Sequence, residues 1–322
     1  YDLDLACRLQ LGLSKSSHTQ QAIKTLVGGE IEKYREARGI KAPKEEKHRC
    51  WRLEYADKLS FHMDIVPCIP DDETGQRLMF ESMTKAGESK LIADSVSKLT
   101  VSITDDRHPR YRMLCDDWNV SNPEGYAVWF EDRMNQMQQM YFEKAQVDEI
   151  PIYKRKPPLQ RVIQLLKRHR DQMFKDDPDV KPISIIITTL AARAYQGEAD
   201  IESALRNILA RIGDLVNQKQ PRVPNPANPN EDFADRWAMP EYKDMHLEQN
   251  FRIWLRQAKV YFDLIGSTDD VMFLSEQAAQ KFSVRFDAEN LKKKLGISTA
   301  AFTVAPKSHS ISGPSKPWRT DR

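Results

Sequence analysis

The chain has 322 residues, which is enough for one large domain or two ordinary ones. Apolar residues make up 40% of it and charged residues 30%, a composition typical of a globular protein. The net charge of +2 argues against a general nucleic-acid-binding protein, so any phosphate-binding surface has to be a local patch.

The four cysteines, Cys7, Cys50, Cys68 and Cys115, are scattered along the chain without a CxxC pattern. This spacing argues against a disulfide framework and against a structural zinc site, and it is typical of a cytoplasmic protein. No apolar run of the sequence approaches the ~20 residues that span a bilayer, so we expect no membrane segment. The chain begins at Tyr1, inside a predicted strand, and we expect the native N-terminal segment to be missing.

The first part of the chain is predicted to be α+β. In chain order, we expect a strand over 1–10, a helix over 17–39, a basic connection over 41–49, and a hairpin of strands over 50–56 and 59–66 turned at Asp57-Lys58. Ser16 or Ser17 is the expected helix cap. Pro67 and Pro70 are expected to end the second hairpin strand, because proline has no N–H to donate to a ladder. The stretch to about residue 118 is predicted to be rich in loops, with one short strand near 101–104.

The second part is predicted to be helical. Asn122 as cap and Pro123 at the first helical position begin a helix that runs to about residue 144. Pro157 begins another helix, to about residue 175, in which apolar residues recur at i, i+3, i+4 and i+7: Leu159, Val162, Ile163 and Leu166. Further helices are predicted over 181–195, 201–218, 244–265, 268–282 and 287–295, the first of them buried and central. A proline–asparagine loop that no regular element crosses is predicted over 221–230, and a disordered tail over 298–322.

Two of the predicted strands carry acids on one face. Asp2 and Asp4 alternate with leucines at the start of the chain, and Asp64 lies between Met63 and Ile65. Asp2 and Asp4 alone are more typical of a solvated strand edge than of a metal site. If the two strands pair, however, three carboxylates meet on one face of a sheet, which is the setting that hard divalent cations such as Mg²⁺ prefer.

The helix over 157–175 has a basic face opposite its apolar stripe, formed by Arg161, Lys167, Arg168 and Arg170. Such a face is most often simply solvated, but its density makes Lys167 a candidate partner for a triphosphate. His169 is interpreted as a surface residue, and His62 as a hydrogen-bonding neighbour of the acids. The sequence contains no glycine-rich P-loop, which argues against a Walker-type NTPase.

These segments resemble the bacterial cGAS/DncV-like nucleotidyltransferases (CD-NTases), in particular the SMODS nucleotidyltransferases of CBASS anti-phage systems. The resemblance extends from residue 1 to about 295. It is carried by YDLDL (1–5), FHMDIVP (61–67), SNPEGYA (121–127), PLQRVIQLLKRHRD (158–171) and KPISIIITTLAA (181–192). The last two segments also resemble the helical half of oligoadenylate synthases.

The resemblance implies a polymerase-β-like nucleotidyltransferase core packed on an all-helical, oligoadenylate-synthase-like domain. We therefore expect the core over 1–120, a helical domain that completes the nucleotide cleft over 121–297, and a flexible tail over 298–322. The family has a Gly-Ser motif that grips the β- and γ-phosphates shortly before its paired acids. That motif would precede Tyr1.

Residue by residue, the resemblance implies that Asp2, Asp4 and Asp64 are catalytic ligands of two Mg²⁺ ions, for which Mn²⁺ can substitute. It places Lys167 on the donor triphosphate and Thr189 near the donor nucleotide. The implied reaction is attack of a ribose hydroxyl on the α-phosphate of a bound NTP with release of pyrophosphate, repeated until a cyclic di- or trinucleotide closes. The implied enzyme is a cytoplasmic monomer that uses NTPs, ATP among them, and acts with a CBASS regulatory partner.

Two other functions fit the sequence. A linear oligonucleotide synthase or terminal nucleotidyltransferase would use the same acids, although the small net charge argues against a long RNA acceptor. No zinc-ligand cluster in the sequence indicates a DNA-sensing insert, so we expect no long nucleic-acid activator. An inactive nucleotide-binding scaffold is the second alternative, and only the missing phosphate-grip segment supports it.

Overall fold

The structure, a computed structural model, describes residues 2–10, 12–55, 61–145, 157–268 and 270–283, with the single positions 285, 287, 289 and 290. The side chains of Asp2 and of residues 136–145 lie outside this description. The predicted turn at Asp57-Lys58, most of the helix predicted over 287–295, and the predicted tail also lie outside it.

The chain forms two compact units, Tyr1–Asp263 and Leu264–Arg322. In the second unit, the helix Val271–Phe282 is capped by Asp270, whose carboxylate accepts a hydrogen bond from the Met272 N–H (2.9 Å). The predicted domain boundaries at 120 and 297 stay predictions.

The described helices and strands are, in chain order, β1 (Asp2–Arg8), α1 (Gln20–Ala37), β2 (Glu45–Glu46), β3 (Trp51–Tyr55), β4 (Phe61–Pro70), α2 (Glu73–Lys85), α3 (Lys90–Ser97), β5 (Val101–Ile103), β6 (Asn119–Ser121), α4 (Pro123–Ala145), α5 (Pro158–Met173), α6 (Ser184–Ala194), α7 (Ile201–Arg211), β7 (Pro224–Asn225), β8 (Asn228–Asp232), α8 (Leu247–Gly266) and α9 (Val271–Phe282).

Strand β4 is the centre of the main sheet. Strand β1 runs parallel to it, while β3 and β5 pair with it in the antiparallel sense. Because Cys68 pairs both with Arg8 of β1 and with Ile103 of β5, β1 lies on one edge of β4 and β5 on the other, in line with β3. Strands β2 and β6 extend the sheet beyond β3 and β5. The two acid-bearing strands therefore pair, which is the condition for their acids to share one face of the sheet.

Strand β4 passes through Pro67 and ends only at Pro70, so the prediction that Pro67 ends the strand is wrong. Pairing with β3 stops at Ile65, and pairing with β5 begins at Cys68. The Pro67 carbonyl faces this edge and accepts a hydrogen bond from the Thr104 N–H (3.3 Å). Pro67 therefore lies between the residues that pair with β3 and those that pair with β5, where the strand tolerates the N–H that proline lacks.

The N-cap of α1 is Thr19, whose side chain accepts a hydrogen bond from the Ala22 N–H (3.1 Å). The predicted caps, Ser16 and Ser17, are therefore wrong. The Ser17 hydroxyl lies ahead of the helix and bonds the Ser14 hydroxyl instead (2.7 Å).

The predicted loop-rich stretch contains α2 and α3, the unpredicted strand β6 follows it, and the basic connection contains β2. Helix α2 was not predicted because only Met79 and Met83 of this helix are buried, so the sequence shows no clear apolar stripe there. Asp72 and Ser89 cap α2 and α3 with their side chains, and they are the sequence signals for these helix starts.

The helical part packs around α6, as predicted. Fully buried side chains of this helix form the centre of the largest apolar cluster: Ile186, Ile187, Leu190, Ala191, Ala192 and Ala194. The predicted stripe of α5 is confirmed, because Leu159, Val162, Ile163 and Leu166 all join this cluster. Ile183, just before α6, is exposed, so the predicted segment over 181–195 is not buried along its whole length. Within the described ranges, no helix is both long and apolar enough to cross a membrane.

The expectation that no regular element crosses residues 221–230 is wrong, because β7 and β8 form a short antiparallel ladder there. The Asp232 carboxylate accepts a hydrogen bond from the Arg222 N–H (2.7 Å), and the Asn225 side chain accepts one from the Ala227 N–H (2.9 Å). Side chains thus replace part of the backbone hydrogen bonding that prolines cannot supply.

Candidate active site

Two of the three predicted acids are direct neighbours on one face of the sheet. Asp4 of β1 pairs with Asp64 of β4 in the parallel register, and Asp2 pairs with His62. Adjacent strands lie about 4.8 Å apart, and paired residues face the same side of a sheet. The backbone register therefore places all four residues on one face, although the side chain of Asp2 lies outside the described part of the structure.

A third strand brings a cation to this face. Arg52 of β3 pairs with Asp64 across the antiparallel register, and its guanidinium donates two hydrogen bonds to the carboxylate: Nε to Oδ1 at 2.8 Å and Nη2 to Oδ2 at 2.7 Å. These hydrogen bonds lower the pKa of Asp64, although burial opposes the shift, and they raise the pKa of Arg52 above its usual value. Asp64 is therefore ionised at neutral pH. Arg52 is a residue of this site that was not predicted from the sequence.

Cys50 lies two residues before Arg52, beside the acids. Burial raises the pKa of its thiol, and the negative charges of Asp64 and Asp4 raise it further. A thiol with a raised pKa is a poor nucleophile and a poor ligand, since both roles require the thiolate. Cys50 is therefore a neutral neighbour of the acids.

The acids fit a hard divalent cation. Two carboxylates at directly paired strand positions repel each other, and a cation between them would relieve this repulsion while receiving oxygen ligands. In the part of the chain that the structure describes, no three His, Cys, Asp or Glu side chains are grouped closely enough to hold a metal. The Asp2 side chain lies outside the described part of the structure, so the site of three acids stays a prediction.

Lys167 lies on α5, half-buried, and no described residue forms a salt bridge or hydrogen bond with its ammonium group. Burial lowers its pKa, the charge of Arg170 lowers it further, and Asp171 partly opposes both effects. A half-buried cation without a close counter-charge would be stabilised by an anionic ligand. Its predicted contact with a triphosphate stays a prediction.

Thr189 lies on α6 and is fully buried. Its hydroxyl shares a hydrogen bond with the hydroxyl of Tyr126 on α4 (2.9 Å), which ties the two helices together. Its predicted place beside a nucleotide stays a prediction, and a side chain without exposed surface would need the helix to move in order to make that contact.

The interpretation of His169 as a surface residue is wrong, because it is buried and stacks against Tyr261 with ring centroids 5.5 Å apart. Arg170 is also buried, although it was assigned to the solvated face. Its guanidinium donates to the Pro182 carbonyl (2.9 Å) and to the Ser184 hydroxyl (2.9 Å), so it anchors the segment that leads into α6. Of the predicted basic face, Arg161 and Arg168 are exposed.

The sequence is similar to that of a curated relative, the c-di-GMP synthase of Roseivirga ehrenbergii, with 31% identity over 245 residues. The match covers 74% of this chain and 55% of the relative, so the chain spans about half the length of that protein. No protein-family model matches the chain.

Two solved structures have a similar fold. One is the CD-NTase CdnG of Bradyrhizobium diazoefficiens in complex with GTP, with a TM-score of 0.55 and 18% identity, covering 88% of this chain and 75% of that one. The other is the 3′-deoxy ATP bound form of Vibrio cholerae DncV, with a TM-score of 0.51 and 13% identity, covering 89% of this chain and 63% of that one. Both similarities support the predicted α+β fold class.

Proposed function

We propose that this chain is a bacterial cGAS/DncV-like nucleotidyltransferase (CD-NTase) and that it joins nucleoside triphosphates into a cyclic dinucleotide, as the similarity to a c-di-GMP synthase supports. The observation that carries the proposal is the direct pairing of Asp4 with Asp64 on the polar face of the sheet. We propose GTP as the preferred substrate, since the relative with 31% identity is a c-di-GMP synthase. The proposed setting is CBASS anti-phage defence in the bacterial cytoplasm, and the proposed architecture is a core over 1–120 and a helical domain over 121–297.

The proposed reaction places the acids on Mg²⁺. Asp4 and Asp64, joined by Asp2 on the same face, would hold the ions through carboxylate oxygens. When bound, Mg²⁺ supplies activation of the attacking hydroxyl and neutralisation of charge on the leaving pyrophosphate. A ribose hydroxyl forms the new bond to the α-phosphate and loses its proton, and the bond to pyrophosphate breaks. A second round between the two joined nucleotides closes the ring.

Lys167 is proposed to bind the triphosphate of the donor nucleotide. An ammonium that is half-buried and lacks a close counter-charge is ready for phosphate oxygens, and such charge-assisted hydrogen bonds are about twice as strong as neutral ones.

We expect Lys167→Met to weaken NTP binding by about tenfold, the effect of losing one hydrogen bond between charged groups. The melting temperature should stay the same or rise slightly, because the substitution removes a half-buried cation that has no close partner. Titration calorimetry with a non-hydrolysable NTP and thermal denaturation measure the two effects.

The matched control for this variant is Lys175→Met, which removes the same charge from an exposed position just after α5. This control should change neither quantity. A Lys167→Met protein that melts much lower and binds NTP normally would show that Lys167 is a structural residue.

The proposed activity is tested by incubating the full-length protein with four labelled NTPs and Mg²⁺ or Mn²⁺, followed by phosphatase treatment. A phosphatase-resistant product that forms from GTP alone is the expected result, since a closed ring has no terminal phosphate. Omitting each NTP in turn identifies the bases of the product. Products that lose a terminal phosphate would indicate a linear synthase or terminal transferase instead, and nucleotide binding without any product would indicate an inactive scaffold.

A further inference from the structure

The Arg52–Asp64 pair engages both oxygens of one of the proposed metal ligands. The guanidinium bonds Oδ1 through Nε (2.8 Å) and Oδ2 through Nη2 (2.7 Å). Only 29% of the Arg52 side chain and 17% of the Asp64 side chain are exposed, so water screens this pair less than a surface pair. The planar fork of arginine also fixes the orientation of the carboxylate.

The partners of Asp64 lie on opposite sides of it. Arg52 approaches from β3 on one edge of β4, and Asp4 lies on β1 along the other edge. The hydrogen bonds from Arg52 therefore direct both carboxylate oxygens of Asp64 toward β3. A cation that bridges Asp4 and Asp64 needs at least one of these oxygens directed toward β1.

A second acid lies within reach of Arg52 on the side away from Asp64. Glu45 of β2 pairs with Arg52 across the antiparallel register. The Glu45 carboxylate also forms a salt bridge with the Lys47 ammonium group (2.6 Å). Arg52 thus lies between two carboxylates on neighbouring strands. If Asp64 is withdrawn, the guanidinium retains a negative neighbour and is not left as an isolated charge.

We propose that Arg52 competes with the divalent cation for the carboxylate of Asp64. As a positioning residue, Arg52 neutralises Asp64 until the cation binds and displaces the guanidinium from that carboxylate. The inference rests on the proposed function, because it takes Asp4 and Asp64 as the metal ligands. In this arrangement the strength of the Arg52–Asp64 pair sets how much divalent cation the enzyme requires.

The test is Mn²⁺ binding, measured by electron paramagnetic resonance of free Mn²⁺ on the purified full-length protein without nucleotide. Arg52→Met should bind Mn²⁺ about three- to tenfold more tightly than the wild type, because the competing charge-assisted pair is gone. Its metal-free form should melt at a lower temperature, and added Mn²⁺ should raise its melting temperature more than that of the wild type. Arg52→Lys, which keeps the charge without the fork, should bind Mn²⁺ with intermediate affinity.

Lys98→Met is the control for net charge, since Lys98 forms an exposed pair with Asp94 (2.6 Å) away from the acids. It should leave Mn²⁺ affinity unchanged. Suppose that the wild-type enzyme binds Mn²⁺ and forms product. Mn²⁺ binding by Arg52→Met and Arg52→Lys that is equal to or weaker than that of the wild type would then overturn the proposed role of Arg52 and leave the proposed function standing. A wild-type protein without saturable Mn²⁺ binding and without product would overturn the proposed function as well.

Discussion

Replacing Asp64 with asparagine is expected to abolish product formation, lowering the turnover rate by about a thousandfold or more. The neutral amide is a poor ligand for a hard cation, and a loss of about 4 kcal/mol of transition-state stabilisation corresponds to a factor of this size. The fold should persist, because the amide oxygen of asparagine can still accept one hydrogen bond from Arg52. Product formation from labelled GTP and thermal denaturation measure the two effects.

The control for this variant is Asp94→Asn, which removes an exposed carboxylate from α3 that pairs with Lys98. It should retain full activity. If Asp64→Asn retains the activity of the wild type, Asp64 is not a metal ligand and the proposed site is wrong. If activity is lost only together with the native fold, the Arg52–Asp64 pair is a structural requirement of the sheet.

Replacing Arg170 with alanine is expected to lower the free energy of unfolding by about 3 kcal/mol. Arg170 is only 4% exposed. Its removal leaves the Pro182 carbonyl and the Ser184 hydroxyl without their donor, and it also breaks the ion pair with Asp171 (2.7 Å). Because Pro182 and Ser184 lead into the buried helix α6, the loss should affect the whole helical part. Chemical denaturation followed by circular dichroism measures it.

The matched control is Arg161→Ala on the same helix, where the side chain is exposed. This substitution should change the free energy of unfolding by no more than about 0.5 kcal/mol. If both variants lose similar stability, the loss does not come from the buried hydrogen bonds of Arg170, because alanine has the higher helix propensity at both positions. If neither loses any, the buried hydrogen bonds of Arg170 do not stabilise the fold.

The sequence predicted both acid-bearing strands, because a period of two residues is the direct signature of a half-buried strand, and it left their pairing as the condition for a site of three acids. It did not place Arg52 beside Asp64, since hairpin register depends on the turn. A two-residue turn at Asp57-Lys58 would pair Arg52 with Met63, and the observed register pairs it with Asp64 instead. A shift of one residue moves a side chain to the other face of a sheet, so the strand patterns alone do not show that Arg52 faces Asp64.

The sequence contained a pattern that predicts the burial of His169 and Arg170, but their charged or polar side chains favoured an exposed position. The two residues follow Leu166 by three and four positions, so they continue the same i, i+3, i+4 stripe that begins at Leu159. Periodicity alone therefore predicts that they face inward. Assigning charged residues to the solvent is reliable only when no internal partners exist, and the carbonyl of Pro182 is a partner that one sequence does not reveal.

The parallel pairing of β1 with β4 has a consequence for the order in which the chain folds. Asp4 and Asp64 are about sixty residues apart in the sequence, and parallel strands require a crossover connection, here one that includes α1. Closing so long a loop is entropically unfavourable until later contacts compensate for it. During synthesis, the two acids can meet only after the ribosome has released β4, so residues 1–60 alone cannot form the proposed cation site. Affinity for a divalent cation would then report that the sheet containing β1 and β4 has assembled.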